Sequence, residues 1–324
     1  MSTSADHTPD VSVILVSFNT RELTVQAIEA LHRSIVREGF VVEVIVVDNA
    51  SSDGSADAVA ARFPEVRLIR SETNLGFGRG NNLGASRARG RVLLLLNTDT
   101  VTHSGAVETL LDRIDGEQKV GVAGPYLINP DGTFQESRYS FPTVWSTFCT
   151  MFWLDVVFRR FRFFAGGRLL HADPEEEGDV DVINGAALMI RRDLYELLGG
   201  FDPAFFMYYE EFDLCHRVRD AGYRVRYVPS ARVEHLVRGS SQARPWWFYR
   251  VLRVSRAIYA RKHMGRFQAL ALAAIYHVAY ALRIVVYPLV GLFRRRFWII
   301  ARNMLLSYTS GARSPLDTQR SPAR

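Results

Sequence analysis

Short, continuous apolar runs alternate with helically spaced segments through the first hundred residues. Val11–Ser17 is one such run, rich in β-branched side chains and too short to cross a bilayer, and it predicts a buried strand. Asn19 and Thr20 follow with capping side chains, and Leu23, Ala27, Leu31 and Ile35 recur at helical spacing across 21–37. Residues 41–47 predict a second strand, closed by the turn-forming run Asp48-Asn49-Ala50-Ser51-Ser52-Asp53-Gly54. A helix over 55–63, a strand over 66–70, a Gly/Asn loop over 74–84 leading into a helix, and the wholly apolar strand Val92–Leu96 complete the series. Strands apolar on both faces and separated by helices predict an α/β fold, with a mostly parallel sheet covered by helices.

Beyond residue 100 the periodicity loosens. Residues 120–126 read as a strand, and 127–180 as an irregular region dotted with aromatics and arginines. Strand character returns at 180–191. A short helix over 193–198 ends at Gly199-Gly200, a longer one over 209–221 stops at Gly222, and short extended segments follow at 224–228 and 231–234. Residues 244–266 predict a basic amphipathic helix. Residues 267–293 form a long apolar run broken by His277, Arg283, Pro288 and Gly291. That run exceeds the ~20 residues a span needs, but Arg283 near its middle would cost about 3 kcal/mol at the bilayer centre. Two short helices lying in or dipping into the interface avoid this cost and are the expectation. A helical cap packed on the rest of the chain is the plain alternative.

Charge sharpens this reading. The net charge of +6 is modest, yet from Arg244 onward Lys and Arg outnumber a single acid, Asp317. Such a segment suits an anionic surface, and its interleaved aliphatics favour a membrane over a nucleic acid. Cys149 and Cys215 make no disulfide or metal framework, which points to a reducing compartment. Residues 1–10 lack the pattern of a signal peptide and are expected to be disordered, as is the tail 307–324.

Polar clusters stand at three predicted strand ends, where open α/β sheets bind ligands. They are Ser17-Phe18-Asn19, Asp48-Asn49 and Asn97-Thr98-Asp99. Asp99 would suit a hard divalent cation whose shell a diphosphate completes, or equally a helix cap. Asp48 is placed with a base or ribose, and Asp53 with the turn. The Asn74–Asn82 stretch could bring backbone close to a nucleotide, though it matches neither a dinucleotide fingerprint nor a P-loop. Glu210-Glu211-Phe212-Asp213 puts three carboxylates in one helical turn after an aromatic run, 205–209. A carboxylate beside an apolar wall holds its proton more tightly and suits a general base, while acids at a helix N-terminus are also simply stabilising. His235, near Arg238, Gly239 and Ser240, suits an anion contact, although a lone histidine is commonly structural.

In this order the clusters resemble the family 2 glycosyltransferases of GT-A fold, above all their bacterial rhamnosyltransferase branch. The resemblance covers about residues 11–241 and also includes Asn184-Gly185-Ala186 and Tyr209-Glu210-Glu211-Phe212-Asp213-Leu214-Cys215. It implies a GT-A domain over 11–243 and a membrane-associating helical segment over 244–306. Ser17, Asn19, Asp48, Asn74, Gly76, Asn82, Asn97 and Thr98 would then face the donor, and Asp99 and His235 a divalent metal, Mg or Mn. Glu211 becomes the catalytic base with Asp213 beside it, and Asn184, Gly185, Ala186 and Glu210 lie on the acceptor side. Two positions depart from the family pattern: Asn97 replaces an acid in the metal motif, and Glu211 replaces an aspartate at the base. Misplacing a base by a bond length can cost about 100-fold.

The implied activity is inverting transfer of a sugar, with L-rhamnose from dTDP-rhamnose as the expected donor. The acceptor would be a glycan or a polyprenyl-diphosphate-linked acceptor in cell-envelope polysaccharide synthesis. The expected place is the cytoplasmic face of the plasma membrane, peripheral or monotopic, with no nucleic-acid partner. A UDP-hexose transferase and a catalytically silent nucleotide-sugar binder are the alternatives.

Overall fold

The computed structural model describes residues 8–236, 245–291 and 295–309. The chain divides into two compact units, and the division is not a single cut at 243. One unit takes in 1–139, 173–203 and 211–240, the other 140–172, 204–210 and 241–324.

The first unit is built on β1 (Val11–Ser17), α1 (Arg21–Ser34), β2 (Val42–Asp48), α2 (Ser55–Arg62), β3 (Arg67–Arg70), α3 (Phe77–Ala85) and β4 (Val92–Leu96). β5 (Thr100–Thr102), α4 (Ala106–Gly116), β6 (Val120–Ile128), β7 (Phe134–Gln135) and β8 (Arg138–Tyr139) follow. The strands run in the order β3-β2-β1-β4, all parallel, with Ser17 level with Asp48 and Leu15 with Leu96. Their carboxyl ends therefore share one edge, as the apolar runs predicted.

The second unit holds α5 (Val144–Met151), α6 (Leu154–Val157) and a single 3-10 turn, Arg162–Phe164. The chain then returns to the first unit with β9 (Gly178–Val180), β10 (Val182–Ile183), β11 (Ala187–Arg191) and α7 (Arg192–Leu197). After α8 (Glu210–Asp220) comes β12 (Arg224–His235), one strand with a register break between Val228 and Arg232 where two short segments were expected. β11 inserts antiparallel between β4 and β6, β12 runs parallel to β6, and β5 closes the order antiparallel to β12. The result is a mixed, mostly parallel sheet flanked by helices, whose core is made by the inner faces of β1, β2, β4 and β6 with α1 and α4.

The glycine-rich stretch is not the open loop the composition suggested. α3 starts at Phe77, and Gly80 and Gly84 lie one turn apart on its sheet-facing side. A Cβ at Gly80 would stand 2.8 Å from Val16 Cγ1, and one at Gly84 2.5 Å from Ile14 Cγ2. These glycines let the helix lie directly on β1, a packing role rather than a ligand-approach role.

In the second unit, α9 (Pro245–His263), α10 (Arg266–Gly291) and α11 (Arg295–Thr309) follow. α10 is one continuous helix through Pro288, not the two short helices expected. Its stretch Arg266–Pro288 is long and apolar enough to cross a membrane by length and composition, and little of it is buried. Arg283 donates to the Met151 carbonyl at 2.6 Å and lies 4.5 Å from the centre of the Trp153 ring. Met151, Ala279, Tyr280 and Met304 form this unit's small core. The predicted tail from 307 begins inside α11. Residues 1–7 and 310–324 lie outside the described residues.

Candidate functional site

The strand-end loops are tied together by short polar side chains. Asn19 adopts a positive φ of 53° and accepts from the Ser52 amide through Oδ1 at 2.8 Å, while its own amide donates to Ser51 Oγ at 3.0 Å. Asp53 accepts from the Arg21 amide at 2.9 Å and the Ser55 amide at 3.0 Å, so one carboxylate caps both α1 and α2. Burial pushes that carboxyl up, but the Ser55 hydroxyl and these amides outweigh it and hold it below the ordinary aspartate range. Ser17, Thr20, Thr24 and Thr98 form a hydroxyl chain, with Ser17 to Thr24 at 2.9 Å and Thr20 to Thr98 at 3.2 Å. Ser17 is wholly buried. Ser17 and Asn19, expected at the donor, therefore spend their side chains on joining loops.

The same holds for much of the Asn/Gly set. Asn49 donates to Asn74 Oδ1 at 2.9 Å and accepts from the Leu75 amide at 2.8 Å, and Asn74 in turn accepts from the Gly76 amide. Asn82 accepts from the Tyr195 hydroxyl at 2.6 Å and the Phe201 amide at 2.9 Å, and donates to the Phe201 carbonyl. Asn74, Gly76 and Asn82 thus shape the loops around the edge through the Asn74 and Asn82 side chains and the Gly76 backbone. Asp48 differs. It is buried, Oδ2 accepts only a long 3.3 Å bond from the Ser51 amide, and Oδ1 meets no donor among the described residues. A buried carboxylate oxygen left so costs about 1–3 kcal/mol, which a ribose hydroxyl or base N–H would offset.

Asp99 and His235 meet because β5 pairs with β12, setting Thr100 opposite His235. His235 Nε2 stands 3.3 Å from Asp99 Oδ1, and the Leu236 amide donates to the Asp99 carbonyl at 2.9 Å. The other imidazole nitrogen is held by a polar relay that sequence reasoning missed. Asn129 donates to the Phe134 carbonyl, which leaves its Oδ1 to accept from Gln135 Nε2 at 2.8 Å. Gln135 Oε1 then faces His235 Nδ1 at 2.7 Å. The network assigns the proton to Nδ1 and turns the Nε2 lone pair toward the Asp99 carboxylate. Two acceptors so close suit a cation between them, and an O/N donor pair suits a divalent metal. The turn Asn129-Pro130-Asp131-Gly132, with Gly132 at φ 82°, is what folds β7 back on β6 and delivers Gln135. That Asn-Pro-Asp-Gly signal was present in the sequence.

The turn 184–186 abuts the same motif. The Asn97 amide donates to the Ala186 carbonyl at 2.9 Å, while Asn97's own side-chain amide bonds to no described residue. Asn184 is committed to the Glu136 carbonyl and the Tyr139 hydroxyl, and Ala186 is core. Of Asn184, Gly185 and Ala186, three of the four residues expected on the acceptor side, it is Gly185 that approaches Phe77 and Glu211. A Cβ there would lie 3.7 Å from Phe77 Cε1 and 3.8 Å from Glu211 Cβ. Glu211, partly exposed in the first turn of α8, is thereby brought beside the segment that holds Asn97.

Asp213 is not at a surface. It is fully buried, and Arg217 grips its Oδ2 at 2.8 Å while donating to the Leu198 and Gly200 carbonyls. Its role is to anchor α8, not to touch an acceptor. Cys215 is wholly enclosed, and burial pushes its thiol up to about 12, so it is no nucleophile. Glu210 is buried too. The aromatic run 205–209 does not simply wall the acids. Phe206 packs on Trp247, Tyr208 on Phe248 and Tyr209 on Tyr259, all on α9. Tyr208 and Tyr209 hold positive φ values of 67° and 70°, strained backbone directly before Glu210. Arg238, Gly239 and Ser240, read as anion contacts, lie outside the described residues.

Comparison with known proteins identifies the family and the fold. Residues 12–198, more than half the chain, match the family model Glycosyl transferase family 2. An N-acetylglucosaminyl-diphospho-decaprenol L-rhamnosyltransferase of Mycobacterium tuberculosis is 30% identical over 209 residues, 60% of this chain and 66% of that protein. The match thus spans just under two thirds of that relative's length. The structure of the mannosyltransferase PcManGT from Pyrobaculum calidifontis, in complex with GDP-Man and Mn2+, superposes with a TM-score of 0.55 and 18% identity, covering 94% of this chain and 87% of that one. GalNAc-T7 with UDP, GalNAc and Mn2+ gives 0.55 and 17%, covering 77% and 50%. At such identities the structures show the fold alone, and that fold is GT-A.

Proposed function

Since the chain belongs to glycosyl transferase family 2 and is a glycosyltransferase, we propose that it transfers L-rhamnose from dTDP-rhamnose, with inversion, to a polyprenyl-diphosphate-linked acceptor in cell-envelope polysaccharide synthesis. The observation that carries the reading is the approach of Asp99 and His235 to 3.3 Å at the strand-end edge that also holds Asp48. The sugar and the lipid-linked acceptor follow the mycobacterial relative.

Asp99 and His235 would hold a divalent ion, Mg or Mn, with Gln135 keeping the imidazole turned toward it. When bound, such an ion supplies Lewis-acid stabilisation of the charge that grows on a departing diphosphate. Asp48 accepts a hydrogen bond from the nucleoside, and Asn97 offers its amide to the donor. Glu211 takes the proton of the acceptor hydroxyl as that oxygen bonds to the anomeric carbon. The bond from that carbon to the diphosphate oxygen breaks on the opposite face, so configuration inverts without a covalent enzyme intermediate. Asp213, through Arg217, fixes the helix that carries Glu211. Attachment through 244–306 to the cytoplasmic face of the membrane, peripheral or monotopic, is supported by the exposed apolar side of α10.

Donor hydrolysis across a panel of nucleotide sugars, with Mg or Mn, tests the reading. Turnover of dTDP-rhamnose above UDP-hexoses is expected, and no metal-dependent turnover of any donor would overturn it. In the same assay Asp99→Ala is expected to abolish metal-dependent donor binding, measured by calorimetry. Unchanged affinity would remove Asp99 from the metal.

A further inference from the structure

The second unit carries a surface that the reading above does not use. Between Trp153 and Phe163 nearly every large apolar side chain faces outward, with Val157 at 68%, Phe161 at 62% and Phe163 at 69% exposed. Arg159, Arg160 and Arg162 are exposed among them. The only acid in the stretch, Asp155, is 1% exposed and is taken by Arg168 at 3.0 Å and Thr150 at 3.1 Å. What remains on the outside is apolar rings and guanidinium groups.

This is not a slack loop. Trp145 donates its indole N–H to the Phe163 carbonyl at 2.7 Å and packs on the Phe163 ring at 5.1 Å. Phe158 stacks on Phe164 at 4.7 Å. The segment is held in place with its apolar side outward, the kind of exposed patch that marks an interaction surface. It is also continuous with α10. Trp153 lies 6.3 Å from the Tyr287 ring and beneath the Arg283 guanidinium.

We propose that residues 153–163 form a membrane-inserting platform, whose aromatic side chains enter the interface of a bilayer while Arg159, Arg160 and Arg162 bind its acidic headgroups. The charge selects this occupant, since three exposed arginines, with no carboxylate partner among the described residues and interleaved with aromatics, match an anionic interface. The contact at Met151 and Trp153 also gives Arg283 a protein partner at the same surface, so α10 lies along the interface beside the platform. The inference stands on this unit alone and is independent of which sugar is transferred.

The test is flotation of the full chain with vesicles of phosphatidylcholine, alone or mixed with phosphatidylglycerol. Phe161→Ser/Phe163→Ser is expected to weaken partition on both. Arg159→Gln/Arg160→Gln/Arg162→Gln is expected to cut partition on the acidic vesicles by about 100-fold, leave the neutral ones little changed, and weaken the salt dependence. Far-UV spectra and Tm matching the parent protein establish that the variants fold. Folded variants with unchanged partition overturn the platform and leave attachment through α10 standing. Loss of concentration-dependent self-association in Phe161→Ser/Phe163→Ser, with partition unchanged, likewise overturns it in favour of a second copy of the chain.

Discussion

The two units handle arginine with different emphasis. In the first, guanidinium groups meet carboxylates: Arg89 with Glu43, Arg91 with Asp115, Arg217 with Asp213, and Arg224 and Arg226 with Glu117. In the second they lie on rings, Arg253 over Tyr308 at 4.1 Å, Arg256 over Tyr276 at 4.4 Å and Arg283 over Trp153 at 4.5 Å, and donate to carbonyls. The difference is one of emphasis: Arg168 meets Asp155 in the second unit, while in the first Arg232 lies 4.1 Å over Tyr126, Arg138 4.6 Å over Tyr227, and Arg191 donates to the Val120 carbonyl. Large apolar side chains follow the same division, sealed in the sheet core of one unit and outward along α10 and 153–163 in the other. Acid partners suit arginines in a water-facing, chemical unit. Aromatic and carbonyl partners satisfy a cation without placing an anion near the lipid surface proposed for the second unit.

The largest effect that would sharpen this division is chemical. Glu211→Gln is expected to lower turnover by about 1,000-fold while leaving both donor affinity and vesicle binding as they are. Near-normal turnover in a direct transfer assay would take the base role from Glu211. Next comes a matched pair of arginine removals. Arg217→Leu strands the buried Asp213 and is expected to cost about 3–5 kcal/mol in urea unfolding. Arg283→Leu loses a ring contact and a carbonyl bond and is expected to cost about 1–2 kcal/mol. Equal costs would break the comparison between the units.

Gln135→Leu releases the imidazole and is expected to weaken Mn2+ binding about 10-fold, read by titration calorimetry. Recovery in Gln135→Glu, which keeps an acceptor on Nδ1, separates positioning from a loss of packing. The smallest effect is at Asp53. Asp53→Ala removes a shared cap and is expected to cost about 1 kcal/mol at neutral pH. Because the folded carboxyl titrates below its unfolded value, that contribution is complete above about pH 4 and fades as pH falls through the folded value. The parent and variant should therefore converge in stability only in acid, and a gap that persists there would refute the assignment.

Periodicity alone was enough for β1, β2, β4 and the helices between them, because strands buried on both faces must be apolar throughout. It was blind to β5 and β7, strands of three and two residues that exist only through their partners. It also could not show which polar residues of the expected site the fold itself would use. Asn19, Asn74, Asn82 and Asp213 have the chemistry of ligand contacts, yet each is used by a backbone amide, a carbonyl or an arginine brought close only on folding.

What the sequence determined by itself was therefore the parallel half of the sheet, the edge where polar chemistry gathers, and the identity of Asp48, Asp99, Glu211 and His235 as residues worth placing there. Tertiary structure alone decided which polar groups remain for a ligand. It turned His235 through Gln135, placed Gly185 beside Glu211, withdrew Asp213 into the core, and joined 140–172 and 204–210 to the C-terminal helices. The reason is physical: local sequence sets strand and helix periodicity, but whether a polar atom is free depends on partners distant along the chain.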